Sequence, residues 1–456
     1  MGILNFPADF AWGVATSAQQ IEGAAGADGR GESIWDRFAT EPGRVLDGSR
    51  PDPACDHYRR WREDLERLRW LGVNAYRFST AWPRVLPTGR GPAHAAGLDF
   101  YSRLVDALLG AGITPYLTLN HWDLPQALQD AGGWPARATA FAFADYADQV
   151  ARRLGDRVRF WVTHNEPWCV ATLGYEEGAH APGGRNPQDG LRAAHHLLLS
   201  HGLAAERIRA VAPGAQVGIV LNLSPGWPAT DSEADRDAAR QFDGLFNRWY
   251  LDPLFRGRYP ADAIADRVRR GHLPAGELPF LAEGDLARIS APLDYLGVNY
   301  YGRTIVTAGQ DGQPRAVPAA PPAELTEMGW EVHPEGLASV LQRLVREYAP
   351  PALYITENGA AFADPPAAGG RIADPRRVSY LREHLVAAHQ ALSSGVPLAG
   401  YFAWTLLDNF EWNQGYTKRF GLFGVDFATG ERTPKDSAFW YRETIAAQAV
   451  AAGAAP

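Results

Sequence analysis

Two glutamates, Glu166 and Glu357, each follow a short run of apolar and β-branched residues that is typical of a buried strand. Asn358-Gly359 predicts a turn after Glu357, because both residues tolerate positive φ, and Pro167 ends the other strand. Strands that are apolar on both faces belong to parallel sheets, which bind ligands beyond the carboxyl ends of their strands. One such glutamate alone would be interpreted as a solvated loop residue, since glutamate is rarely buried, but two in equivalent positions indicate a site.

A pair of carboxyl groups without a phosphate-binding motif favours glycoside hydrolysis. One carboxyl group gives a proton to the leaving oxygen, while the other, which is ionised, is the partner of the oxocarbenium-like carbon. Further polar and aromatic residues follow the predicted strands: Gln20, Arg77, His121, Trp122, Asn165, Asn299, Tyr301, Trp404, Glu411 and Trp412. Each has an ordinary structural explanation alone. Together at one edge they predict a cavity whose amides and carboxylates bind hydroxyls and whose rings stack on sugar C–H faces.

Eight predicted strands alternate with helices and would bring these residues to one rim. The strands span residues 10–16, 73–79, 113–119, 158–163, 216–221, 293–298, 353–356 and 398–406. Helical periodicity predicts helices over residues 57–71, 100–111, 139–154, 191–211, 232–250, 336–348 and 379–394. This alternation predicts the α/β class, with residues 1–456 as a single (β/α)8 TIM barrel domain that has long βα loops.

The length beyond a minimal barrel falls in the predicted loops 23–52, 172–187, 307–322 and 408–420. Residues 310–322, rich in Pro, Ala and Gln, are interpreted as a mobile loop rather than a linker between domains. Residues 448–456 are expected to fray.

The composition disfavours several classes of partner. The formal net charge is −8 and no basic run occurs, so neither nucleic acid nor an anionic membrane is expected to bind. No apolar run approaches the ~20 residues of a membrane span, and no signal peptide is expected from the first residues. Two cysteines, Cys55 and Cys169, are too few for a disulfide scaffold, which favours a reducing compartment and a cytoplasmic location.

Other catalytic chemistries lack their motifs. The histidines His180, His195, His196 and His201 have no metal-binding spacing, so no metal is expected. No Gly-x-Ser-x-Gly sequence occurs. Cys169 is expected to be a small buried thiol, because nothing basic near it in the sequence marks a reactive one.

Five stretches together resemble the β-glucosidases of glycoside hydrolase family 1. They are Phe10-Ala-Trp-Gly-Val-Ala-Thr-Ser with Gln20-Ile-Glu-Gly, Thr163-His-Asn-Glu-Pro, Gly297-Val-Asn-Tyr-Tyr, Ile355-Thr-Glu-Asn-Gly, and Asp408-Asn-Phe-Glu-Trp with Gly415-Tyr-Thr-Lys-Arg-Phe. The resemblance runs essentially end to end. It implies a retaining (β/α)8 enzyme without cofactor that removes terminal non-reducing β-D-glucosyl residues from aryl glucosides and short cello-oligosaccharides such as cellobiose, with Glu166 as acid/base and Glu357 as nucleophile.

The resemblance also implies roles for the remaining rim residues. Those that would bind substrate are Gln20, His121, Trp122, Asn165, Trp330, Trp404, Glu411, Trp412 and Phe420. Those that would support the nucleophile are Arg77, Asn299 and Tyr301. Trp404 would stack under the sugar and Trp330 would flank the leaving group, while Trp168 and Leu173 would line the entrance.

Comparison with related enzymes narrows the expected substrate. Plant thioglucosidases have Gln at the position of Glu166, so this chain keeps its own proton donor. The 6-phospho-β-glycosidases carry Ser, Lys and Tyr where this chain has Glu411, Lys418 and Phe420, and a buried carboxylate would repel a phosphate. The orientation of His164 stays open, because strand alternation places it on the side of Glu166 but the strand is ending there.

Three functions remain open at this point. A β-glucosidase is favoured, and the alternative is a family 1 enzyme that acts mainly on β-galactosides or β-fucosides, or a transglycosylase, because Glu411 can accept hydrogen bonds from either epimer. A sugar-binding protein on an inactive barrel is disfavoured by the intact Glu166 and Glu357. The sequence predicts no oligomeric state.

Overall fold

The centre of the molecule is a closed barrel of eight parallel strands, seen in a computed structural model that describes residues 2–452. The strands are β1 Ala11–Ala15, β2 Ala75–Ser79, β3 Thr114–Asn120, β4 Phe160–Asn165, β5 Gln216–Asn222, β6 Tyr295–Asn299, β7 Leu353–Asn358 and β8 Leu398–Trp404. Each strand pairs with its neighbours in chain order, and β8 pairs with β1 to close the barrel. The predicted (β/α)8 fold is confirmed.

Long helices connect the strands and form the outer layer. They span His57–Leu71, Ala95–Gly110, Arg137–Leu154, Pro187–Val211, Glu233–Asp243, Trp249–Arg256, Ala261–Arg269, Pro334–Tyr348, Pro375–Ser393 and Asp436–Ala447. Shorter helices are Ala18–Ile21, Ile34–Phe38, Trp82–Val85, Gln126–Asp130 and Asp285–Ile289, with π-helical segments Cys169–Glu176 and Gly244–Arg248 and a 3₁₀ turn at Trp412–Gln414. The helix predicted over residues 232–250 runs on to Arg256, with Pro253 inside its last segment.

Aromatic side chains fill the barrel at the end where its strands begin. Tyr116, Tyr295, Tyr354 and Phe402 are buried inside the barrel, and the ring centroids of Tyr116 and Phe402 are 4.9 Å apart. Tyr295 and Tyr354 lie at or next to the first residues of β6 and β7. A ligand can therefore enter only from the opposite end, where the strands end in polar residues.

A three-stranded sheet extends this open rim beyond β5 and β6. Its strands are Gly226–Pro228, Thr304–Ala308 and Pro314–Val317. The prediction of a mobile loop over residues 310–322 is wrong for Pro314–Val317, because these residues pair antiparallel with Thr304–Ala308. The local composition does not predict this strand, because the strand forms only through hydrogen bonds to its partner.

The two ends of the described chain also pair. Ala449–Ala452 forms an antiparallel ladder with Gly2–Asn5, so the prediction that the tail frays is wrong for residues 449–452. Residues 453–456 of that prediction lie outside the described residues. A further hairpin joins Phe423–Val425 to Arg432–Pro434.

Loops at the rim hold one another in place. The amide of Leu46 donates to the carbonyl of Asn413 at 2.8 Å, and the Asp47 carboxylate accepts from the amide of Tyr416 at 2.8 Å. The loop after β1 is thereby fastened to the loop after β8, which carries Glu411. Among residues 2–452, no helix is both long and apolar enough to cross a membrane.

Candidate active site

A cavity of about 370 Å³ opens at the carboxyl ends of the barrel strands. Twelve of the fourteen site residues expected from the sequence line it: His121, Trp122, Asn165, Glu166, Asn299, Tyr301, Trp330, Glu357, Trp404, Glu411, Trp412 and Phe420. The other two, Gln20 and Arg77, are fully buried behind this wall and hydrogen-bond to residues that form it. They are therefore placed to orient the lining side chains.

Glu357 is held at the end of β7 by two donors. Arg77 Nη1 donates to Oε1 at 2.7 Å and the Tyr301 hydroxyl donates to Oε2 at 2.5 Å. Burial raises the pKa of this carboxyl, whereas the Arg77 charge and the Tyr301 hydrogen bond lower it. Burial also raises the pKa of Tyr301 well above its usual value, so its hydroxyl keeps the proton it donates.

Glu166 lies directly after β4 in a different environment. Asn299 Nδ2 donates to Oε1 at 2.7 Å, and the thiol of Cys169 donates to Oε2 at 3.1 Å. Burial and the nearby charge of Glu357 raise the pKa of Glu166 to about 7. Of the two carboxyl groups, only Glu357 has a direct ion pair, so Glu357 ionises more readily and Glu166 holds its proton to higher pH.

Amide groups connect the two carboxyl groups. Asn165 Oδ1 accepts from Arg77 Nη2 at 2.6 Å and from Asn299 Nδ2 at 3.0 Å. Asn299 Oδ1 accepts in turn from the Thr356 hydroxyl at 2.7 Å. Because these donors fix which end of each amide faces which partner, the network sets the separation and orientation of the pair.

Glu411 lines another part of the cavity wall, and the buried Gln20 lies behind it. Gln20 Nε2 donates to Glu411 Oε2 at 3.3 Å and to the carbonyl of Phe410 at 3.0 Å, while Ser17 donates to Gln20 Oε1 at 2.7 Å. Burial, with the charges of Glu357 and Glu166, raises the pKa of Glu411 to about 8. A buried carboxyl group with this little compensation suits a ligand whose hydroxyl groups hydrogen-bond to it.

Aromatic rings form the remaining walls. The His121 ring is nearly parallel to the rings of Trp404 and Trp412, with centroids 5.8 Å and 6.0 Å away. Burial keeps the pKa of His121 well below its usual value, so the ring is neutral. Nearer the mouth, Trp330 is 36% exposed and packs beside Tyr301 at 5.2 Å. The cavity thus combines flat apolar faces with a few buried polar groups, as sugar sites do.

Residues 4–450 match the family model described as glycosyl hydrolase family 1. The chain belongs to this family. It is 47% identical over 448 residues to β-glucosidase A of Acetivibrio thermocellus, covering 98% of this chain and 99% of that protein. It is 45% identical over 466 residues to a bifunctional β-D-glucosidase/β-D-fucosidase of Bifidobacterium breve, covering 97% and 98%.

Solved structures of family 1 share the whole architecture. The family 1 β-glucosidase of Thermotoga maritima has a TM-score of 0.94 at 44% identity, covering 99% of this chain and 100% of that one. The same enzyme in complex with isofagomine lactam also has a TM-score of 0.94, at 44% identity over 98% and 100%.

Several lining residues of this family 1 site were not identified from the sequence. They are His180, Asn222, Leu223, Ser224, Phe246, Gly302, Arg303, Thr304, Met328, Asn413 and Gln414. Asn222 is the last residue of β5, so the rule that found the other strand-end residues could have found it. The others lie in or beside rim loops and carry no comparable signal. Cys169, expected to be a buried thiol near the site, also lines the cavity, where it contacts Glu166.

Two details of the strand ends differ from, or were left open by, the sequence predictions. His164 turns away from the cavity, with Nε2 2.7 Å from the Ser200 hydroxyl and its ring stacked on Phe143 at 4.3 Å. The predicted reason for Asn358-Gly359 was wrong, because Asn358 still belongs to β7 and neither residue has a positive φ. Glycine is needed for space: a Cβ at residue 359 would lie 1.8 Å from the carbonyl oxygen of Trp404.

The part of the chain between residues 2 and 452 contains no group of three or more His, Cys, Asp or Glu side chains that could hold a metal ion.

Proposed function

We propose that residues 1–456 form one catalytic domain of a retaining exo-β-glucosidase, with Glu357 as nucleophile and Glu166 as acid/base. The observation that carries these roles is the difference between the two carboxyl groups: Glu357 has the ion pair with Arg77, whereas Glu166 is bonded by uncharged donors and has a pKa of about 7. The substrates are aryl β-glucosides and short cello-oligosaccharides such as cellobiose. Relatives that carry the name β-glucosidase, at 46–49% identity over nearly the full chain, support this activity.

The first half of the reaction transfers the sugar to the protein. The Glu357 carboxylate attacks the anomeric carbon, the bond from that carbon to the glycosidic oxygen breaks, and Glu166 gives its proton to this oxygen. The leaving group departs as a neutral alcohol. The sugar is then joined to Glu357 through an ester, with inverted configuration at the anomeric carbon.

In the second half, Glu166 acts in the opposite direction. Esterification removes the charge of Glu357, which is one of the two causes that raise the pKa of Glu166. Glu166 therefore ionises more readily at this stage and takes a proton from water. The water oxygen attacks the anomeric carbon, the ester breaks, and a second inversion restores the β configuration.

The closed lower end of the barrel supports action at chain ends. The aromatic residues inside the barrel block passage, so a glucan can insert only its terminal sugar. We place that sugar against Trp404, between the carboxyl pair and Glu411, with His121 and Trp412 beside it. The leaving group then lies toward the mouth. Trp330 lines this cavity, as do Trp168 and Phe246, whose ring centroids are 4.4 Å apart.

Activity on fucosides or galactosides is a second candidate function. The carboxylate of Glu411 can accept a hydrogen bond from an axial or an equatorial hydroxyl, so it need not distinguish epimers. The relative from Bifidobacterium breve, named for both β-glucosidase and β-fucosidase activity, favours this candidate. A 6-phosphorylated sugar is disfavoured, because its charge would be buried close to the Glu357 carboxylate and to the acidic group of Glu411.

The proposal is tested by rates and by stereochemistry. A panel of 4-nitrophenyl β-glycosides ranks the glucoside, fucoside, galactoside and 6-phosphoglucoside by kcat/KM, and we expect the glucoside to be at or near the top. Proton NMR of early hydrolysis of 4-nitrophenyl β-glucoside, whose leaving group has no anomeric centre, should show β-glucose before mutarotation. First-formed α-glucose would refute retention, and no turnover of any glycoside would leave only a binding protein.

Two further properties are part of the proposal. We expect no cofactor, and the substrates are small glucosides rather than macromolecular partners. Cys55 and Cys169 are both free and buried, which agrees with the proposed cytoplasmic location.

A further inference from the structure

Cys169 lies in direct contact with the proposed acid/base. Its Sγ is 3.1 Å from Glu166 Oε2, and the residue is only 7% exposed. We propose that Cys169 is a positioning residue whose thiol hydrogen bond holds the Glu166 carboxyl and stabilises its ionised form. This inference rests on the proposed function, in which Glu166 gives and then takes the proton.

The backbone after β4 brings the two side chains together. Glu166 adopts φ of +48°, a left-handed conformation uncommon for a residue with a side chain. The chain therefore turns sharply, and the amides of Cys169 and Val170 donate back to the Glu166 carbonyl at 3.0 and 3.4 Å. The thiol consequently comes to lie beside the carboxyl group three residues earlier, at the first residue of the π-helical segment Cys169–Glu176.

The thiol serves as a hydrogen-bond donor rather than as an ion. Burial and the adjacent Glu166 raise the pKa of Cys169 well above its usual value, so the sulfur keeps its proton. Asn222 Nδ2 lies 3.6 Å from Sγ and donates to it. The sulfur therefore accepts a hydrogen bond from Asn222 and donates its own hydrogen to Glu166 Oε2. A hydrogen bond to the carboxylate lowers the pKa of Glu166, against burial and the Glu357 charge, which raise it.

Other groups also act on Glu166 and stay in place when Cys169 is changed. The charged and titratable ones around it are Glu357 on β7, Arg77 on β2, Tyr301 after β6 and Glu411 in the last loop. Glu177 faces Cys169 from the following turn. The uncharged donor is Asn299. A shift that follows the loss of the thiol can therefore be assigned to the thiol.

The two steps of the reaction respond in opposite directions. Glycosylation needs protonated Glu166, so kcat/KM for a substrate with a poor leaving group falls as the pH rises through the pKa of this residue. Without the thiol donor that pKa rises, and the alkaline limb moves to higher pH. The second step needs ionised Glu166, so its rate falls when the pH is below the raised pKa. The thiol hydrogen bond thus keeps the pKa of Glu166 at a value that allows this residue both to donate a proton in the first step and to accept one in the second.

The test uses three variants of the intact enzyme. Cys169→Val removes the donor and fills its space, Cys169→Ala removes the donor with less crowding, and Cys169→Ser keeps a donor. The matched control is Cys55→Ala, which removes the other buried thiol, one that donates to the Asp408 carbonyl. For each protein, kcat/KM is measured against pH with cellobiose and with 2,4-dinitrophenyl β-glucoside, whose good leaving group needs little protonation.

With cellobiose, Cys169→Val and Cys169→Ala should move the alkaline limb up by roughly 0.5–1 pH unit, the range for losing one weak donor to a carboxylate. At a pH one unit above the wild-type pKa of Glu166, kcat/KM of these variants should retain a roughly three- to five-fold larger fraction of its maximum than kcat/KM of the wild type. Cys169→Ser and Cys55→Ala should keep the wild-type limb, and the dinitrophenyl substrate should show no such shift in any variant.

Several results would overturn the inference. One is an unchanged limb in both Cys169→Val and Cys169→Ala, and another is an equal shift in Cys169→Ser or Cys55→Ala, since either would mean that the thiol only fills space. Glu166→Gln separates this failure from failure of the proposed function. If Glu166→Gln loses cellobiose turnover but keeps formation of the glycosyl intermediate from the dinitrophenyl substrate, the acid/base assignment stands whatever Cys169 does.

Discussion

Replacing Tyr301 by Phe isolates the contribution of one hydroxyl group to the nucleophile. That hydroxyl donates to Glu357 Oε2 at 2.5 Å, while the ring packs beside Trp330 and Phe420, which a phenylalanine ring would still contact. A hydrogen bond to a charged group contributes ~1.5–3 kcal/mol, and one pKa unit corresponds to about 1.4 kcal/mol. Because the Arg77 ion pair remains, we take the lower half of this range and expect the pKa of Glu357 to rise by about 1–1.5 units.

The direction of the effect on activity follows from the role of Glu357. The nucleophile must be ionised, so activity is lost as the pH falls through its pKa, and a raised pKa moves the acid limb of kcat/KM to higher pH. On that limb the variant should be roughly 10- to 30-fold slower than the wild type at equal pH. At pH values well above the limb, the loss should be smaller.

The neighbouring residue supplies the control. The Tyr300 hydroxyl donates to the carbonyl of His333 at 2.7 Å and contacts neither catalytic carboxyl. Tyr300→Phe therefore removes a hydroxyl with a structural partner and should leave the acid limb where it is. A uniform loss in Tyr301→Phe without displacement of the limb, or an equal displacement in Tyr300→Phe, would refute the reasoning.

Two further predictions concern the carboxyl groups. Glu166→Ala should hydrolyse cellobiose ~10²–10⁴-fold more slowly, yet show a burst with the dinitrophenyl glucoside, and with added azide its product, identified by NMR, should be the β-glucosyl azide. Glu357→Ala should hydrolyse neither substrate, and with added azide it should form the α-glucosyl azide. If the two azide products were exchanged between the variants, the two roles would be reversed. Glu411→Ser should weaken glucoside turnover and improve kcat/KM for a 6-phosphoglucoside relative to the glucoside, because a buried acidic group facing the sugar is removed; a wild type that already prefers the phosphorylated substrate would contradict this.

Much of the fold and of the site could be predicted because both depend on local patterns. Glu166, Glu357 and Asn299 stand at or just beyond strand ends, and parallel strands of one barrel bring such positions to a single rim. The strands themselves are short apolar runs buried on both faces, which the sequence displays directly. Assigning the two glutamates different roles needed the resemblance to the family.

The features that were missed depend on distant partners or on local distortion. Ala449–Ala452 forms a strand only because Gly2–Asn5 lies beside it, more than 440 residues away in the sequence. His164 could not be oriented by alternation, because the pairing of β4 with β5 is irregular between Val162 and Asn165 and the chain turns at Glu166. The same turn brings Cys169 against Glu166, a contact that spacing alone does not reveal.

The central claim is that Glu357 forms a covalent bond to the sugar, and trapping tests it most directly. A 2-deoxy-2-fluoro-β-glucoside with a dinitrophenolate leaving group should glycosylate the enzyme and then release it slowly, because the fluorine destabilises the oxocarbenium-like transition state of both steps while the leaving group compensates only in the first. Mass spectrometry of the digested protein should find one 2-fluoroglucosyl group per chain, on the peptide that contains Glu357. A label on Glu166, or turnover without any labelled peptide, would contradict the account.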